Sequence, residues 1–473
     1  EPLGQGARGQ PRHRAGPSRA AAMTWGEGAA LLLPSMRVSE VQKQSLSQWS
    51  PDCRHLAAVA QNRVLVRNAE TLKLVQVFVC VDKVERLEWS PDSEFILTEV
   101  ARPGVVQVWC LQDADWLCTI DEGMAGVARC HWGPSSRHLA LVSDFQLCLS
   151  VWALEDRCCV AQVRFPKFAA RGVAFSCSGQ WLAVLRRSDC RDSVAILDCE
   201  NSFAQAVDFP VAGDCADLAW AQKDAALILW ERPARAARLL WYSARGELLL
   251  QLGDCGLLRT ASLSPSAQYI AVGSLDGKLH VLSATAMKPM ARFAHSLKAA
   301  CAEADESEME VCQEELLSDP AGPLGSVGYV RAERPSAVRI PEALAEAAVD
   351  ANGVPRQGVG TLAWSPCERY LAAKHDGTPT AVWVWDLGRL ALAAVLVQRS
   401  AVRSFAWGKP AAAGCGPRLA ISTADPVLFL WSPSEAAAIP CPVSLARLQW
   451  RADGRAVLLQ DRDQGCICAQ GAL

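Results

Sequence analysis

One short phrase recurs along the chain and constrains its fold more than any other feature. The phrase is an aromatic residue or Leu, then Ser-Pro or a relic of it, then a polar turn and a Leu-Ala or Ile-Ala pair. Its first positions, the anchors, are Trp49, Trp89, Trp132, Phe175, Trp220, Leu263, Trp364, Trp407 and Trp450. Successive anchors are separated by 40, 43, 43, 45, 43, 101, 43 and 43 residues. The near-equal intervals indicate that one structural unit is repeated.

A second marker recurs with the same period as the first. Some 18–24 residues after most anchors, an apolar run ends in Trp. These positions are Trp109, Trp152, Trp241, Trp385 and Trp431, and Asp386 completes a Trp-Asp pair at one of them. A period of about 40–45 residues with this ending is typical of WD40 repeats, each of which forms a small four-stranded sheet. The sequence therefore predicts an all-β WD40 β-propeller of about nine units, with these residues as structural markers.

The anchors divide the chain into four segments. Residues 1–35 are rich in Gly, Pro, Arg and Ala and are interpreted as a disordered or non-native extension. Residues 36–293 carry six units and residues 355–473 carry three. Residues 294–354 contain Pro and Gly, with eight acidic side chains and no Lys or Arg over residues 302–319. We expect this segment to be a long loop or an interdomain linker.

Nine units exceed the usual four to eight blades of a propeller. The spacing is compatible with one large ring, with two unequal propellers, or with a smaller ring and degenerate extra units. Residues 36–48 could supply a strand that closes the last blade. The sequence alone does not decide among these arrangements.

Composition argues against several classes of function. The formal net charge of −3 provides no basic field for nucleic acid or an anionic membrane, so nucleic-acid binding is not expected. None of the 20 Cys residues stands in a C-x-x-C pair, which argues against a metal site and for a reduced cytosolic or nuclear protein. No apolar run approaches the length of about 20 residues that a membrane helix needs.

The sequence offers little catalytic chemistry. It contains no phosphate-binding Gly-rich loop with Lys-Ser/Thr, no H-E-x-x-H and no G-x-S-x-G. Cys130 with His131, or Cys53 with His55, could be imagined as a nucleophile and its base. However, His55 and His138 occupy the same turn position in two units, which favours a repeat feature. We therefore expect no enzyme, no cofactor, no metal and no small-molecule substrate.

The central channel of a propeller is another place where catalysis could occur. The strands that we expect to line it read Leu56-Ala57, Phe95-Ile96-Leu97 and Ile270-Ala271. Because these strands are apolar, a catalytic channel is not expected.

One predicted hairpin loop is the candidate contact site. The stretch 186–192 lies between two predicted strands at the rim and mixes charges of both signs. Loops on a rigid scaffold often carry binding. The candidate contact residues are Arg186, Arg187, Asp189 and Arg191.

Four stretches carry a closer resemblance. They are Cys118–Gly123, Arg186–Cys190, Ala271–Lys278 and Ala381–Asp386. In their order and spacing, from about Met36 to the last unit, the chain resembles the centrosomal and centriolar-satellite WD-repeat proteins encoded antisense to a tumour-suppressor-family gene. The long insertion between repeats stands at the same place in that family.

The resemblance implies a non-catalytic scaffold for protein–protein interaction. Such proteins act in the cytoplasm, at centrosomes, centriolar satellites, spindle poles and ciliary basal bodies, where they support microtubule anchoring, spindle assembly and cilium formation. The resemblance also implies a coiled-coil centrosomal adaptor as partner. The alternative is an RNA- or ribosome-associated propeller in translation or RNA processing, which predicts a basic stripe on one face.

Overall fold

A computed structural model describes the chain over residues 36–39, 41–43, 46–100, 104–221, 223–231, 238–253, 257–297, 309–317, 326–342, 357–410 and 416–470. The prediction made for residues 1–35 lies outside these ranges. The described residues form nine β-sheets. Each sheet is called a blade and is numbered in chain order from the first complete sheet.

Two short strands, β1 (Met36–Val38) and β2 (Gln42–Lys43), precede the first complete blade. Blade 1 comprises β3 (Leu46–Trp49), β4 (His55–Ala60), β5 (Arg63–Asn68) and β6 (Leu74–Val79). Blade 2 comprises β7 (Val84–Trp89), β8 (Phe95–Val100), β9 (Val105–Cys110) and β10 (Leu117–Asp121). Blade 3 comprises β11 (Arg129–Trp132), β12 (His138–Val142), β13 (Cys148–Ala153) and β14 (Cys158–Arg164). Blade 4 comprises β15 (Val173–Phe175), β16 (Trp181–Ser188), β17 (Arg191–Asp198) and β18 (Ala204–Val211).

Blade 5 comprises β19 (Cys215–Ala221), β20 (Ala226–Glu231), β21 (Leu239–Ser243) and β22 (Leu248–Leu252). Blade 6 comprises β23 (Leu258–Leu263), β24 (Tyr269–Ser274), β25 (Lys278–Ser283) and β26 (Lys288–Ala294). Blade 7 comprises β27 (Glu310–Leu317), β28 (Ser326–Arg331), β29 (Val359–Trp364), β30 (Tyr370–His375), β31 (Ala381–Asp386) and β32 (Ala391–Val397). Blade 8 comprises β33 (Ser404–Gly408), β34 (Arg418–Ser422), β35 (Val427–Trp431) and β36 (Ala436–Pro440). Blade 9 comprises β37 (Arg447–Trp450), β38 (Ala456–Gln460) and β39 (Gln464–Gln470), joined by β1 and β2. Single 3-10 turns lie at Gly123–Ala125, Asp144–Gln146 and Pro335–Ala337.

The four strands of a complete blade follow one another in sequence and pair antiparallel. First strands of neighbouring blades pack against one another, as β3 does against β7 and β29 against β33. Blades converge at the centre of a propeller, so the first strand is the innermost and the fourth is the outermost. Second and third strands are almost wholly buried because neighbouring blades cover both of their faces, as in the run Leu56–Val59 of β4.

The expectation about the channel strands was wrong. Leu56 and Ala57 lie in the second strand β4, where neighbouring blades cover them, and the other two stretches also lie in second strands, β8 and β24. The innermost strands carry charged residues instead, including Arg86 and Glu88 on β7 and Arg129 on β11. The apolar run identifies a strand covered on both faces, whereas an inner strand leaves one face to solvent.

The Trp anchors join neighbouring blades through a repeated hydrogen bond. In five blades, the indole Nε1 of the anchor donates to the backbone carbonyl of the residue just before the anchor of the preceding blade. These bonds run from Trp89 to Gln48 (3.1 Å), Trp220 to Ala174 (3.0 Å), Trp364 to Ser262 (3.1 Å), Trp407 to Ala363 (3.0 Å) and Trp450 to Ala406 (2.9 Å). Only Trp among the aromatic residues combines a large apolar ring with an N–H donor, which explains its recurrence here.

The Ser of the phrase closes the turn that follows the anchor. Its hydroxyl accepts a hydrogen bond from the backbone amide five residues later. The pairs are His55 to Ser50 (2.9 Å), Phe95 to Ser90 (2.9 Å), Trp181 to Ser176 (3.0 Å), Tyr269 to Ser264 (3.2 Å) and Tyr370 to Ser365 (2.9 Å). A buried hydroxyl at this position satisfies an amide that the sheet leaves unpaired, which is why Ser recurs there.

The nine blades form one closed ring. The strand β1 pairs antiparallel with β39, with Met36 opposite Gln470, so the start of the described chain supplies the outer strand of blade 9. Gln460 Nε2 of blade 9 donates to the carbonyl of Ser47 in blade 1 at 2.7 Å. Trp49 and Leu56 share a buried cluster with Leu458 of blade 9. The two-propeller and smaller-ring alternatives are therefore wrong. The possibility that residues 36–48 close the last blade is confirmed for β1 and β2.

We expected the insertion at 294–354 to be a loop or linker. That expectation was wrong for part of the segment. Its described part contains β27 and β28, which form a hairpin. The strand β27 pairs in parallel with β32, with Val311 opposite Val395, and extends blade 7 to six strands. Val311 and Cys312 are buried, and Tyr329 of β28 packs on Phe429 of blade 8 with ring centroids 5.0 Å apart.

The acidic composition of the insertion concealed these strands. Glu310, Glu314 and Glu315 belong to the predicted acidic stretch, yet they lie in β27. A strand that adds to an existing edge takes its hydrogen bonds from that edge and needs few apolar side chains of its own. The remaining residues of 302–319, at 302–308 and 318–319, lie outside the described residues.

Candidate functional site

Two kinds of connection emerge on the same side of the ring. Because the strands of a blade alternate in direction, the turn between the second and third strands lies at the same end as the link from the fourth strand to the next blade. We call this side the upper face. The candidate contact hairpin lies there, because it joins β16 to β17, the second and third strands of blade 4.

The candidate hairpin has the turn that the sequence predicts. The strands pair up to Ser188 and Arg191, and Asp189 and Cys190 form the two-residue turn with φ of 49° and 61°. Two successive residues with positive φ are the mark of a turn that matches the twist of its strands. Asp189, Cys190 and Arg191 lie exposed at the tip.

Two of the four candidate contact residues are paired within the protein. Arg186 lies 2.8 Å from Asp208 of the neighbouring strand β18. Arg187 lies 2.7 Å from Asp192 and 2.8 Å from Asp214. Their charges are therefore neutralised in place, and only Asp189 and Arg191 stand at the tip of the turn. A contact role for these residues stays a prediction.

The two carboxylates that pair with Arg187, those of Asp192 and Asp214, also pair with a buried lysine that the sequence analysis did not identify. Lys167, on the link from blade 3 to blade 4, has a side chain only 3% exposed. Its Nζ lies 2.7 Å from Asp192 and 2.5 Å from Asp214, and it also donates to the carbonyl of Cys215. The amide of Cys215 donates to Asp192 at 2.8 Å. The network ties the link to blades 4 and 5 and makes the upper face rigid there.

Next to this network, the upper face exposes large apolar side chains. Phe145 is 89% exposed, Leu147 52% and Phe165 47%, and Met124 is fully exposed. Phe145 and Leu147 lie on the turn between β12 and β13, and Phe165 begins the link from blade 3 to blade 4. Met124 lies on the link from blade 2 to blade 3. We call these four residues the apolar cluster.

Hydrogen bonds hold the loops of the apolar cluster together. The amide of Phe165 donates to the carbonyl of Leu147 at 3.0 Å, and the amide of Arg187 donates to the carbonyl of Phe165 at 3.0 Å. These two bonds connect the turn of blade 3, the following link and the hairpin of blade 4. The apolar cluster therefore adjoins the predicted contact hairpin.

The link that carries Met124 is fixed at a second point. Trp152 Nε1 donates to Glu122 at 2.8 Å, and the hydroxyl of Ser150 donates to the same carboxylate. Gly126 has φ of 59° and ψ of −179°, a backbone conformation that residues with a Cβ rarely adopt, and it lies close to the Asp144 side chain of the blade 3 turn. The exposed side chains thus stand on ordered backbone.

Both Phe residues of the apolar cluster have unusual backbone angles. Phe145 has φ of 59° and Phe165 has φ of 58°. A bulky residue in this region costs free energy. Burial does not compensate that cost, because both rings are exposed. Exposed rings on loops that hydrogen bonds hold in place are what a preformed contact surface requires.

The imagined Cys130–His131 dyad has no nucleophilic chemistry. Burial, reinforced by the nearby Glu99, raises the pKa of the Cys130 thiol well above its usual value, so the thiol stays protonated. Burial lowers the pKa of His131, whose Nε2 lies 2.9 Å from the carbonyl of Ala169. Adjacent strand residues also point to opposite faces. Glu99 instead lies 3.0 Å from Arg86 of the innermost strand and accepts the amide of Cys130 at 3.2 Å.

Over the described ranges, no group of three or more His, Cys, Asp or Glu side chains is arranged to hold a metal ion. No helix in the same residues is long and apolar enough to cross a membrane.

No protein-family model matches the chain. It is 33% identical over 458 residues to the mouse (Mus musculus) WD repeat-containing protein WRAP73, and the alignment covers 92% of this chain and 96% of that protein. The chain belongs to the WRAP73 family. The nine blades agree with the WD repeats in the name of this relative, and the predicted membership of a WD-repeat family is confirmed.

Solved propellers share the fold of this WRAP73-family chain at low sequence identity. The C-terminal WD40 domain of Sif2 matches with a TM-score of 0.50 and 12% identity, over 92% of this chain and 99% of that chain. The Dos1 propeller matches with a TM-score of 0.50 and 11% identity, over 93% and 96% of the two chains. These likenesses concern the fold alone, and the predicted all-β WD40 propeller of nine units is confirmed.

Sequence reasoning found one edge of this surface and missed the rest. The mixed charges of 186–192 pointed to the hairpin, but Lys167 and the apolar cluster were not identified. A signal was present at Asp144-Phe145-Gln146-Leu147, because the corresponding turns of blades 6 and 7 read Asp276-Gly277 and Asp376-Gly377. An aromatic residue where blades 6 and 7 place Gly indicates a turn with another purpose.

Proposed function

We propose that this WRAP73-family chain is a non-catalytic scaffold that docks protein partners at the centrosome and spindle pole. In this role it supports microtubule anchoring, spindle assembly and cilium formation, and its direct partner is a coiled-coil centrosomal adaptor. Its site of action is the cytoplasm and cytoskeleton, including centriolar satellites and the ciliary basal body. The cellular role rests on the family resemblance, and the docking role rests on the apolar cluster.

The observation that carries the docking role is the exposure of Phe145 and Phe165 on loops held by hydrogen bonds. Binding energy in protein interfaces concentrates in a few large side chains at the centre of a contact. Binding to loops that are already ordered costs less conformational entropy than binding to mobile ones. An apolar helix face of a coiled-coil protein, or the apolar end of such a helix, has the chemistry to cover this cluster.

The RNA-associated alternative receives less support from the same surface. It predicts unpaired basic side chains in a stripe. On the upper face of blades 3 to 5, however, Lys167, Arg186 and Arg187 are all paired with aspartates. Paired guanidinium groups are poor ligands for phosphate, because binding would first break the internal pairs.

The test is proximity labelling from the full chain in dividing cells, read by mass spectrometry. The wild type is compared with a Phe145→Ser/Phe165→Ser variant. We expect the wild type to label centrosomal coiled-coil and microtubule-anchoring proteins, and the variant to lose most of that labelling at equal expression. A Leu248→Ser/Leu249→Ser variant is the matched control, because both Leu side chains are exposed on the rim of blade 5.

Three results would count against the proposal. Labelling of ribosomal or RNA-processing proteins by the wild type would favour the RNA-associated alternative. Equal labelling by the wild type and the Phe145→Ser/Phe165→Ser variant would remove the apolar cluster from the docking site. Equal loss in the Leu248→Ser/Leu249→Ser control would show that any loss of surface hydrophobicity has the same effect.

A further inference from the structure

A second exposed apolar surface lies on the rim of blade 1, away from the apolar cluster. The outer strand β6 and the residues after it expose Val75 (51%), Val77 (37%), Val79 (58%) and Val81 (61%). Val77 and Val79 are alternate residues of β6 and therefore share a face. Val75 lies where a β-bulge shifts the register between β5 and β6, and Val81 lies just past the end of β6. We call these four exposed valines the valine row. Phe78, between them, points to the other face, where its ring lies 5.2 Å from that of Trp109 in blade 2.

The valine row is specific to blade 1. The outer strands of blades 2, 3, 4 and 6 each have a residue that corresponds to Phe78, because it pairs with the same position of the third strand. These corresponding residues are Ile120, Val163, Phe209 and Phe293. The residue before each of these is exposed. It is Thr119, Gln162, Asp208 and Arg292 in those blades, but Val77 in blade 1. The residue after it is Asp121, Arg164, Pro210 and Ala294, but Val79 in blade 1. The repeat does not require valine here.

The backbone beside the valine row has free hydrogen-bonding groups. The amide of Cys80 donates to the carbonyl of Asn62 at the end of β5, at 2.8 Å. Amides alternate in direction along an antiparallel strand, so those of Val77 and Val79 point away from β5. Within the part of the chain that the structure describes, no strand pairs with this edge. The free stretch ends at Val81, whose amide donates to the side chain of Gln107 at 3.1 Å.

Blade 7 shows what this kind of edge can accept. There, β27 lies in parallel on the outer strand β32, and Val311 of the added strand is fully buried. The outer edge of a blade in this ring therefore accommodates one more strand. Among the described residues, none covers the same edge of blade 1, which also carries β-branched side chains that suit a strand better than any other element.

The size of the valine row indicates which occupant it suits. With Leu74, which is 54% exposed, the row forms an apolar patch of roughly a few hundred Å², which is in the range of the largest patches on monomeric proteins. A symmetric dimer through this row alone would bury about twice that area, less than the roughly 1,200 Å² of a stable interface. An extended peptide needs less area, because main-chain hydrogen bonds supply part of its affinity.

We propose that the outer edge of β6 binds an extended segment of a partner protein as an added strand, with apolar β-branched residues of that segment packed on the valine row. This site is separate from the apolar cluster and does not rest on the proposed cellular function. A partner segment of this kind has Val, Ile or Thr at alternate positions and lacks Pro at the positions that donate to β6.

The test is amide hydrogen exchange of the full chain with and without a synthetic peptide. The probe is acetylated, alternates Val and Thr and ends in Lys on both sides, so that it carries only the features that the proposal names. At millimolar peptide, we expect severalfold slower exchange at the amides of Val77 and Val79. In a Val77→Lys/Val79→Lys variant, the apparent affinity should fall by about tenfold or more.

The matched control is Gln162→Lys, which places the same side chain at the equivalent position of blade 3. It should leave peptide binding unchanged. If the lysine variant melts at a lower temperature than the wild type, Val77→Thr/Val79→Thr replaces it, because Thr keeps the β-propensity and removes part of the apolar surface. Binding should then weaken with the fold intact.

Several outcomes would overturn the proposal. One is unchanged exchange at Val77 and Val79 at millimolar peptide. Another is equal slowing at Gln162 and Arg164, which would mean that any outer strand binds the probe. A third is a dimer of the full chain in light scattering that Val77→Lys abolishes, since the occupant would then be a second copy. None of these results bears on the Phe145→Ser/Phe165→Ser experiment.

Discussion

Two turns at the same place in the repeat, those of blades 3 and 7, have opposite surroundings. In blade 7, the carboxylate of Asp376 lies 3.5 Å from Arg259 of blade 6, and His375 Nδ1 accepts the amide of Gly377 at 3.0 Å. His295, on the link from blade 6, packs edge-on against Trp385 with ring centroids 5.7 Å apart. The blade 3 turn instead carries Phe145 into solvent.

The comparison indicates that the turns of blades 6 and 7 stabilise the ring, whereas the turn of blade 3 offers a binding surface. In blades 6 and 7, polar turn groups bond to one another and join neighbouring blades. The amide of Asp376 donates to the carbonyl of Gly358, and His295 Nδ1 lies 3.0 Å from the carbonyl of Gly277. In blades 3 and 4, the joining task falls to Lys167 below the surface. The turn above it is thereby free to expose apolar side chains, and a repeat can acquire a contact surface without losing its ring.

The largest expected effect tests whether Lys167 has the joining role. Lys167→Met leaves the buried Asp192 beside Arg187 with less compensation, so the free energy of unfolding should fall by about 3–5 kcal/mol. Chemical denaturation of the full chain measures this. Arg186→Gln is the control, because its partner Asp208 is more exposed, and its effect should stay below about 1 kcal/mol. Equal losses of unfolding free energy in the two variants would contradict the expected difference between a buried and an exposed ion pair.

The second prediction concerns pH and the blade 6–7 region. Burial, with a smaller contribution from His375, lowers the pKa of His295 to about 3. The unfolded chain then takes up a proton below about pH 6.5 that the folded chain refuses, so stability falls as pH falls. Between about pH 7 and about pH 5, His295 should account for a loss of about 2 kcal/mol.

A His295→Asn variant provides the check on that slope. It should be less stable than the wild type at neutral pH, and its stability should fall less steeply between neutral and mildly acidic pH. Phe145→Asn should leave the slope unchanged. If the slope of His295→Asn matches that of the wild type, the turn region of blades 6 and 7 does not hold a buried neutral His.

The smallest expected effect concerns strain in the blade 3 turn. Asn tolerates the positive φ of position 145 better than Phe does, so Phe145→Asn should stabilise the fold by up to about 1 kcal/mol. Leu147 has an ordinary φ of −71°, and Leu147→Asn should give no such gain. Thermal and chemical denaturation compare the two. Destabilisation by Phe145→Asn would mean that the ring packs where it is now described as exposed.

The sequence predicted the ring better than it predicted the surface. Five of the Trp anchors make the same indole bond to the preceding blade, and the anchor spacing predicted the nine units that the structure shows. Closure of the last blade by residues 36–48 was one of the arrangements that the spacing left open, and β1 and β2 supply it. These features depend on residues at fixed distances along the chain.

The surface depends on contacts that spacing does not encode. Lys167 meets Asp214 across 47 positions of sequence and across two blades. Phe145 and Leu147 resemble a core pair in sequence, and only the turn that carries them places both in solvent. The strand β27 was hidden because its partner β32 lies some 80 positions later, with Glu310 opposite Ala394.

The most direct test of the contrast is the recruitment of three fluorescently tagged full chains to spindle poles: wild type, Phe145→Ser/Phe165→Ser and His295→Asn, each expressed equally below the melting temperature of the least stable. We expect the Phe variant to melt like the wild type yet fail to accumulate at the poles, and the His variant to melt earlier yet accumulate normally. Normal recruitment of a stably folded Phe variant would contradict the assignment of binding to the upper face of blades 3 and 4.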